Sequence, residues 1–437
     1  MSGDAHPKTN FSQEAPPTNV SWREALKFWF WLGCMSFGGP AGQIALMHEE
    51  LVVRRRWISE KRYLHALNYC MLLPGPEAQQ LATYMGWLMH GTRGGIAAGT
   101  LFVLPSLLLL IGLSWAYTAW GQHPWGQALL WGLKPAVTAL VLHAAHRLAQ
   151  RTLKARWLWV LAVLSLLGML WGLPFALIIA GAAAVGFYMS RQSFGGIQAE
   201  LEDDSPAPTH TQFSPKRLLR ALALGVGLWA TGLGLIALVF GSNHTLTVMA
   251  GFFTQAALLT FGGAYAVLPF LTQAAVEQYG WLTAAQMMDG LALGETTPGP
   301  LIMVVAFVGF LGGHSQALLG DPVLGGIVAA CVVTWFTFLP SFVFILAGGP
   351  WVESTRRMPS LEGPMQGIMA AVIGVIVYLA GVFARQTWLP GGWHMLPDLG
   401  ALALTLLATW LLIRQQLSVF KLLGLCTALG LVWQLLV

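Results

Sequence analysis

From Ser36 to Met47 the chain reads SFGGPAGQIALM, and from Leu72 to Tyr84 it reads LLPGPEAQQLATY. In both stretches an apolar helical pattern stops at a cluster of glycine and proline and then resumes. Gly39 before Pro40, and Gly75 before Pro76, have the form of a cap followed by proline in the first helical turn. Each break therefore predicts a new helix N-terminus. Such a terminus carries unpaired N–H groups and about half a positive charge. Inside a segment apolar enough to lie in a membrane, it is a ready site for an anion.

The surroundings are that apolar. Of the 437 residues, 56% are hydrophobic and only 9% are charged, against about 25% charged in a soluble domain. An all-α, polytopic membrane protein is the fold class this balance predicts. Residues 1–21 are polar and rich in Pro, Asn, Thr and Ser, without the basic and apolar regions of a signal peptide, so they are expected to be a disordered tail. The formal charge of +5 could suggest nucleic acid. The basic residues, however, sit in short loops between apolar segments, which fits membrane orientation and leaves no nucleic-acid face. Cys34, Cys70, Cys331 and Cys426 lie in apolar stretches without metal-ligand spacing and read as small core residues. Many of the tryptophans, such as Trp22, Trp57, Trp120 and Trp281, fall near segment ends and read as interface anchors.

Apolar segments run at about 24–47, 64–90, 94–119, 130–150, 157–171 and 173–189, and again from 217 to 436 after a polar, acidic stretch at 190–216. The second series repeats the first. At a constant offset of 224, Phe37-Gly38-Gly39 falls on Phe261-Gly262-Gly263, Trp57 on Trp281, Ser59 on Thr283, and Pro74-Gly75-Pro76 on Pro298-Gly299-Pro300. With insertions, Leu104-Pro105-Ser106 matches Leu339-Pro340-Ser341, and GLKPAV at 132–137 matches GIMAAV at 367–372. The expected organisation is a tail (1–21), a first repeat (22–189), a cytoplasmic linker (190–216), an unpaired connecting helix (217–240) and a second repeat (247–437).

One extra crossing between two like units turns the second upside down, the inverted arrangement of secondary carriers that bind at the midplane. Loop charges agree: 150–156, 190–217, 348–364 and 414–421 are basic and read as cytoplasmic, whereas 120–130, 241–246 and 313–322 carry no Lys or Arg. The loop with Arg54, Arg55 and Arg56 would fall on the wrong side if 24–47 crossed fully, and its repeat mate has no basic residue. Both facts fit re-entrant hairpins at the four broken segments. Arms of roughly ten to thirteen residues, about 15 to 20 Å of helix, reach the middle of a hydrocarbon core about 30 Å thick. Nine crossings with four hairpins and thirteen crossings are the two topologies left open.

These strings resemble the chromate ion transporter family in its long form with two homologous halves. The resemblance rests on SFGGPAGQIALMHEELV, RRWIS, LLPGPEAQQLATYMGW, GGIAAGTLFVLPS and GLKPAV in the first half, and TFGGAYAVLPFL, GLALGETTPGPL and FLPS in the second, and it covers nearly all of 22–437. It implies a multi-pass protein of the bacterial inner membrane that exports chromate, driven by the membrane potential or proton gradient, and so confers chromate resistance. No cofactor is implied. The sequence leaves the oligomeric state open, a homodimer included.

Chromate is a tetrahedral dianion much like sulfate, and holding it requires N–H and hydroxyl donors from several sides. Helix N-termini following Gly39, Gly75, Gly263 and Gly299 could supply the first, with Gly38, Pro74, Pro76 and Gly262 shaping the breaks. Ser36, Gln43, Gln79, Gln80, Thr260, Thr296 and Thr297 could supply the second. Glycine and proline also serve membrane helices as kinks and close-packing points; duplication of both motifs favours the site. Ionisable groups in apolar segments cost at least ~2.5 kcal/mol at the bilayer centre, which singles out Glu77, Glu295 and Lys134 as proton-coupling or charge candidates. Glu77 equally suits a helix start, and Lys134 could simply snorkel. Arg54, Arg55 and Arg56 could gather anions at a cytoplasmic mouth or serve orientation alone. His143 and His146 share a helix face but have no third ligand in sight, so packing is the expected role. There is no HExxH, GxSxG or P-loop, so neither an enzyme nor an ATP-driven pump is expected. A sulfate or molybdate carrier, and an anion channel of the same fold, remain as alternatives.

Overall fold

The computed structural model describes residues 20–37, 39–121, 123–192, 213–354, 362–389 and 398–436. The expected tail and most of the expected linker lie outside them, as does Gly38. Among the described residues the chain is all helix. The first series comprises α1 (Trp22–Met35), α2 (Gly39–His48, continued by a π-turn at Glu49–Arg54), α3 (Glu60–Leu72), α4 (Glu77–Trp120), α5 (Pro124–Thr152), α6 (Arg156–Leu170) and α7 (Phe175–Gln192). After α8 (Pro215–Phe240) come α9 (Thr245–Leu259), α10 (Ala264–Thr272, with a π-turn at Gln273–Gln278) and α11 (Ala284–Thr296). The series ends with α12 (Val304–Ser315), α13 (Pro322–Ser354), α14 (Glu362–Trp388), α15 (Leu399–Arg414) and α16 (Val419–Leu436). Five of these, α4, α5, α8, α13 and α14, are long and apolar enough to cross a membrane.

Each break falls where the sequence places Gly and Pro. Gly39, Gly75, Gly263 and Gly299 all have positive φ (70°, 125°, 95° and 106°), a conformation that costs other residues energy. Two boundaries differ from expectation: α2 begins at Gly39 itself, expected as the cap before Pro40, and α4 begins later than expected. Pro76 is the cap and α4 begins at Glu77, one residue later than a Gly75 cap would place it; the proline ring already fixes a φ of −75°, but its ψ of 101° is still extended. In the second half Pro300 leads into a short 3₁₀ turn, Leu301–Met303, before α12. α4 itself is two helices, because His90 and Gly91 leave helical geometry.

The broken segments fold back on themselves. The Trp22 and His90 rings meet edge to edge at 5.4 Å, and the His90 ring nitrogen Nε2 lies 2.9 Å from the Val20 carbonyl. The start of α1 therefore touches the end of the first arm of α4. Phe28 of α1 likewise packs on Trp57, beyond the end of α2, at 5.2 Å. In the second half the Phe252 ring of α9 lies 5.6 Å from Trp281, and Ser315 at the end of α12 lines one cavity with Thr283 and Ala284 at the start of α11. The Thr245 hydroxyl donates to Gln316 Oε1 across the same end. These contacts bring the ends of the broken segments close together.

Three apolar cores result among the described residues. The largest joins α5, α7 and α14 to α9–α13, α15 and α16; a second holds α1–α4 together with Ile345 and Val352 of α13; and a small third packs Leu153 and α6 against Ala370 and Ile373 of α14. α8 buries only Gly225, and an all-round apolar helix with so little protein cover is suited to lipid contact.

Candidate functional site

The breaks meet across the two halves, and they do so twice. The Gly75 N–H donates to the Thr260 carbonyl at 2.7 Å, and the Gly299 N–H donates to the Ser36 carbonyl, also at 2.7 Å. Because 36 pairs with 260 and 75 with 299 in the repeat, these are the same bond made in opposite directions. The second proline-glycine-proline break of one half thus docks on the first break of the other. The serines of the two LPS strings complete the pattern. A Cβ on Gly75 would lie 2.5 Å from Ser341 Oγ, and one on Gly299 would lie 2.5 Å from Ser106 Cβ. Only glycine fits at either crossing.

Side-chain amides satisfy the carbonyls that the breaks leave without helical partners. Gln43 Nε2 donates to the Gly299 carbonyl at 2.5 Å and to the Ser36 carbonyl at 3.3 Å. Gln80 Nε2 donates to the Pro74 carbonyl at 2.7 Å and reaches Ser341 Oγ at 3.4 Å. Gln79 Nε2 donates to Thr83 Oγ1. Of the three glutamines expected as ligand donors, Gln43 and Gln80 thus clamp the backbone of the breaks, and Gln79 is tied to a side chain of its own helix. Their mates in the second half are Val267, Met303 and Val304, so both crossings are served by glutamines of the first half, Gln43 at Gly299 and Gln80 at Pro74.

The threonine hydroxyls are also engaged. Thr260, Thr296 and Thr297 donate to the carbonyls of Ala256, Leu293 and Gly294 on their own helices, which leaves each able to accept but not to donate. Ser36 Oγ and Ser106 Oγ have no hydrogen-bond partner, although both residues are buried. Both flank Gly299, and Gln43 Oε1, also unpartnered, lies in the same place. The crossing at Gly299 therefore keeps two hydroxyls with no partner at all, whereas at the Gly75 crossing the Thr260 hydroxyl donates to its own helix and Ser341 Oγ, already accepting from Gln80, has only its own O–H left to give. Gly39 and Gly263, at the starts of α2 and α10, have open space where a Cβ would point. Gly262, by contrast, faces Met369 Sδ at 2.5 Å from its Cβ position.

The charged candidates separate into three places. Glu77 is half-buried in the first turn of α4. Glu295 is buried near the end of α11, four residues before Gly299, where the Tyr265 hydroxyl donates to its Oε1. Sequence reasoning missed Tyr265, whose repeat mate is Ala41 and so left no duplicated signal. Lys134 is not beside the breaks; it lies 4.0 Å from Asp289 on a different cavity. Arg54 and Arg55 bond the buried Glu50 carboxylate at 2.9 and 3.1 Å, and the Arg55 guanidinium sits over the Phe28 and Trp57 rings. These two carry counter-ions and stacking partners, and Arg56 adopts a positive φ of 52° at the turn.

Broken apolar helices crossing in pairs define an integral membrane protein, and the proteins it resembles are transport proteins and not enzymes. The chromate transporter family matches the chain twice, over residues 23–187 and 247–431, and the chain belongs to that family. It is 34% identical over 372 residues to the chromate transport protein of Pseudomonas aeruginosa, covering 84% of this chain and 82% of that one. It is 30% identical to a probable chromate transport protein of Synechococcus elongatus, covering 89% and 90%. An uncharacterized transporter of Bacillus subtilis, YwrB, is 27% identical and matches 39% of this chain but 84% of its own length. No solved structure matches.

Proposed function

We propose that this protein is a secondary carrier that exports chromate, or a closely similar tetrahedral oxyanion, across the bacterial inner membrane and thereby confers resistance. The substrate class is that named for its curated relatives. The observation that carries the site is the Gly299 crossing, where the buried hydroxyls of Ser36 and Ser106 lack partners beside the start of α2. Unused hydroxyl donors next to a helix N-terminus suit a dianion that must also be released. Buried polar groups are otherwise almost always paired.

The hairpins give the transport reading its geometry. With α1–α2 and α3 plus the first arm of α4 entering and leaving on one side, four helices of the first repeat cross the bilayer: the second arm of α4, α5, α6 and α7. The connecting helix α8 then makes a fifth crossing and inverts the second repeat. The two reciprocal backbone bonds are what a two-fold relation between inverted halves would produce. Alternating access is movement of one half against the other around this crossing.

Uptake of chromate into everted vesicles, with and without sulfate, tests the reading. A carrier gives saturable uptake, inhibited by whichever oxyanions share the site. Uptake that rises without saturation would indicate a channel, and stronger inhibition by sulfate or molybdate than by chromate itself would reassign the substrate.

A further inference from the structure

A cavity of about 470 Å³ lies between the two halves, away from the backbone crossings. Tyr117 of α4 and Gln127, Trp131 and Lys134 of α5 line it from the first half, and Gln286 and Asp289 of α11 from the second. It lies at the end of the molecule that holds the 120–130 loop, which has no Lys or Arg and reads as the outer face. Asp289 is buried, with a side chain 4% exposed, while Lys134 is 29% exposed and reaches the cavity. The Tyr117 hydroxyl donates to Asp289 Oδ2 at 2.9 Å, but Oδ1 has no hydrogen-bond partner. The ammonium stands 4.0 Å from Oδ1, too far for a hydrogen bond.

We infer that this cavity is an outer anion subsite, in which Lys134 receives the oxyanion and Asp289 is the built-in counter-ion that the anion displaces on arrival and that displaces it on departure. The inference rests on the oxyanion-carrier reading and adds a second station to it. The donors fit a tetrahedral oxyanion. Lys134 offers three N–H groups, and the Gln286 amide N–H₂ remains available because its Oε1 accepts from the Thr283 N–H in the cap of α11. The Trp131 indole N–H is committed to Asp398 Oδ2 at 2.9 Å, so that ring serves as wall. Removing the ammonium leaves the Asp289 carboxylate with only the bond from Tyr117, a costly state that drives the pair to re-form and so favours release of the anion.

The fold does not need this pair. In the second repeat the mate of Lys134 is Met369, packed against Gly262, and the mate of Asp289 in the first repeat is His65. The same helices are thus built once with the pair and once without it.

The test compares half-saturation from the two sides of the membrane. In right-side-out vesicles chromate meets this cavity first; in everted vesicles it does not. Lys134→Gln should raise the outer half-saturation concentration about tenfold, the effect of losing a charged hydrogen-bond donor, and shift the inner value little. Asp289→Asn keeps an acceptor for Tyr117 but removes the competing charge. It should lower the outer half-saturation several-fold and reduce the maximal rate, because release loses its competitor. The double variant should behave as Lys134→Gln, since there is no ammonium left to free. Should Lys134→Gln fail to insert, Lys134→Met, matching the mate position, replaces it. An outer half-saturation that is unchanged in Lys134→Gln, raised in Asp289→Asn, or shifted equally from both sides overturns the subsite. Wild-type vesicles that move no oxyanion sink the carrier reading, while equilibrium binding of labelled sulfate to the same variants still decides the subsite.

Discussion

Replacing Gly299 by alanine tests the crossing most directly. Its φ of 106° is strained for any L-residue, which costs about 1 to 3 kcal/mol. The added Cβ would also lie 2.5 Å from Ser106 Cβ and 2.8 Å from Ser106 Oγ, and overpacking of this kind costs a further 1 to 3 kcal/mol or so. The sum, about 2 to 6 kcal/mol, would open the bond from the Gly299 N–H to the Ser36 carbonyl and separate the two hydroxyls placed there. Gly39→Ala is the control. Its φ of 70° carries strain of about 1 kcal/mol, but nothing lies within 4 Å of its Cβ position. Thermal unfolding in detergent should therefore rank the variants as wild type, then Gly39→Ala, then Gly299→Ala. Chromate uptake in everted vesicles should be lost in Gly299→Ala; in Gly299→Ala/Ser106→Gly, which removes the colliding Cβ but not the backbone strain, melting should partly recover while uptake stays low, because the Ser106 hydroxyl has gone from the site. Wild-type melting and uptake in Gly299→Ala would refute the account of this crossing, as would failure of the second substitution to recover any stability.

The bulkier Gly39→Val should abolish transport while leaving membrane insertion intact, because it fills the open start of α2; normal uptake would remove that terminus from the site. Glu77→Gln should alter the pH dependence of uptake, and an unchanged profile would eliminate this carboxyl as the proton group. In a background without native cysteines, Ser59→Cys should react with an impermeant thiol reagent only from the cytoplasmic side and Thr283→Cys only from outside; the opposite pattern at either position rules out the hairpins. Tyr84→Phe deletes a hydroxyl that donates to Glu353 Oε1 at 2.7 Å, and should cost about 1.5 to 3 kcal/mol of stability, read by the same detergent melts.

The breaks were legible in the sequence because Gly and Pro are confined to few roles in apolar helices, and the repeat was legible because FGG and PGP recur in one register. Apolar length alone could not distinguish a hairpin from a span, since a broken segment of some two dozen residues has the composition of a full crossing. The charges of Arg54, Arg55 and Arg56 gave the hint, and ring contacts such as Phe28 on Trp57 supply the geometry. The roles of the polar residues were not legible. Gln43, Gln79 and Gln80 read as donors for a ligand, but a break leaves carbonyls of its own to be satisfied, and the amides of Gln43 and Gln80 go to them. Ser106 was visible only as part of a matching string, because its position against Gly299 depends on the other half of the chain. Asp289 likewise acquires its meaning from Tyr117 and Lys134, both more than 150 residues away in sequence.

The two bonds that join Gly75 to Thr260 and Ser36 to Gly299 use main-chain atoms only. Short of a proline, which would delete a donor, no exchange of side chains can erase either bonding group. So long as glycine stays at 75 and 299, the clasp between the halves can persist while other residues around it drift, and the cargo can be retuned without redesigning the joint.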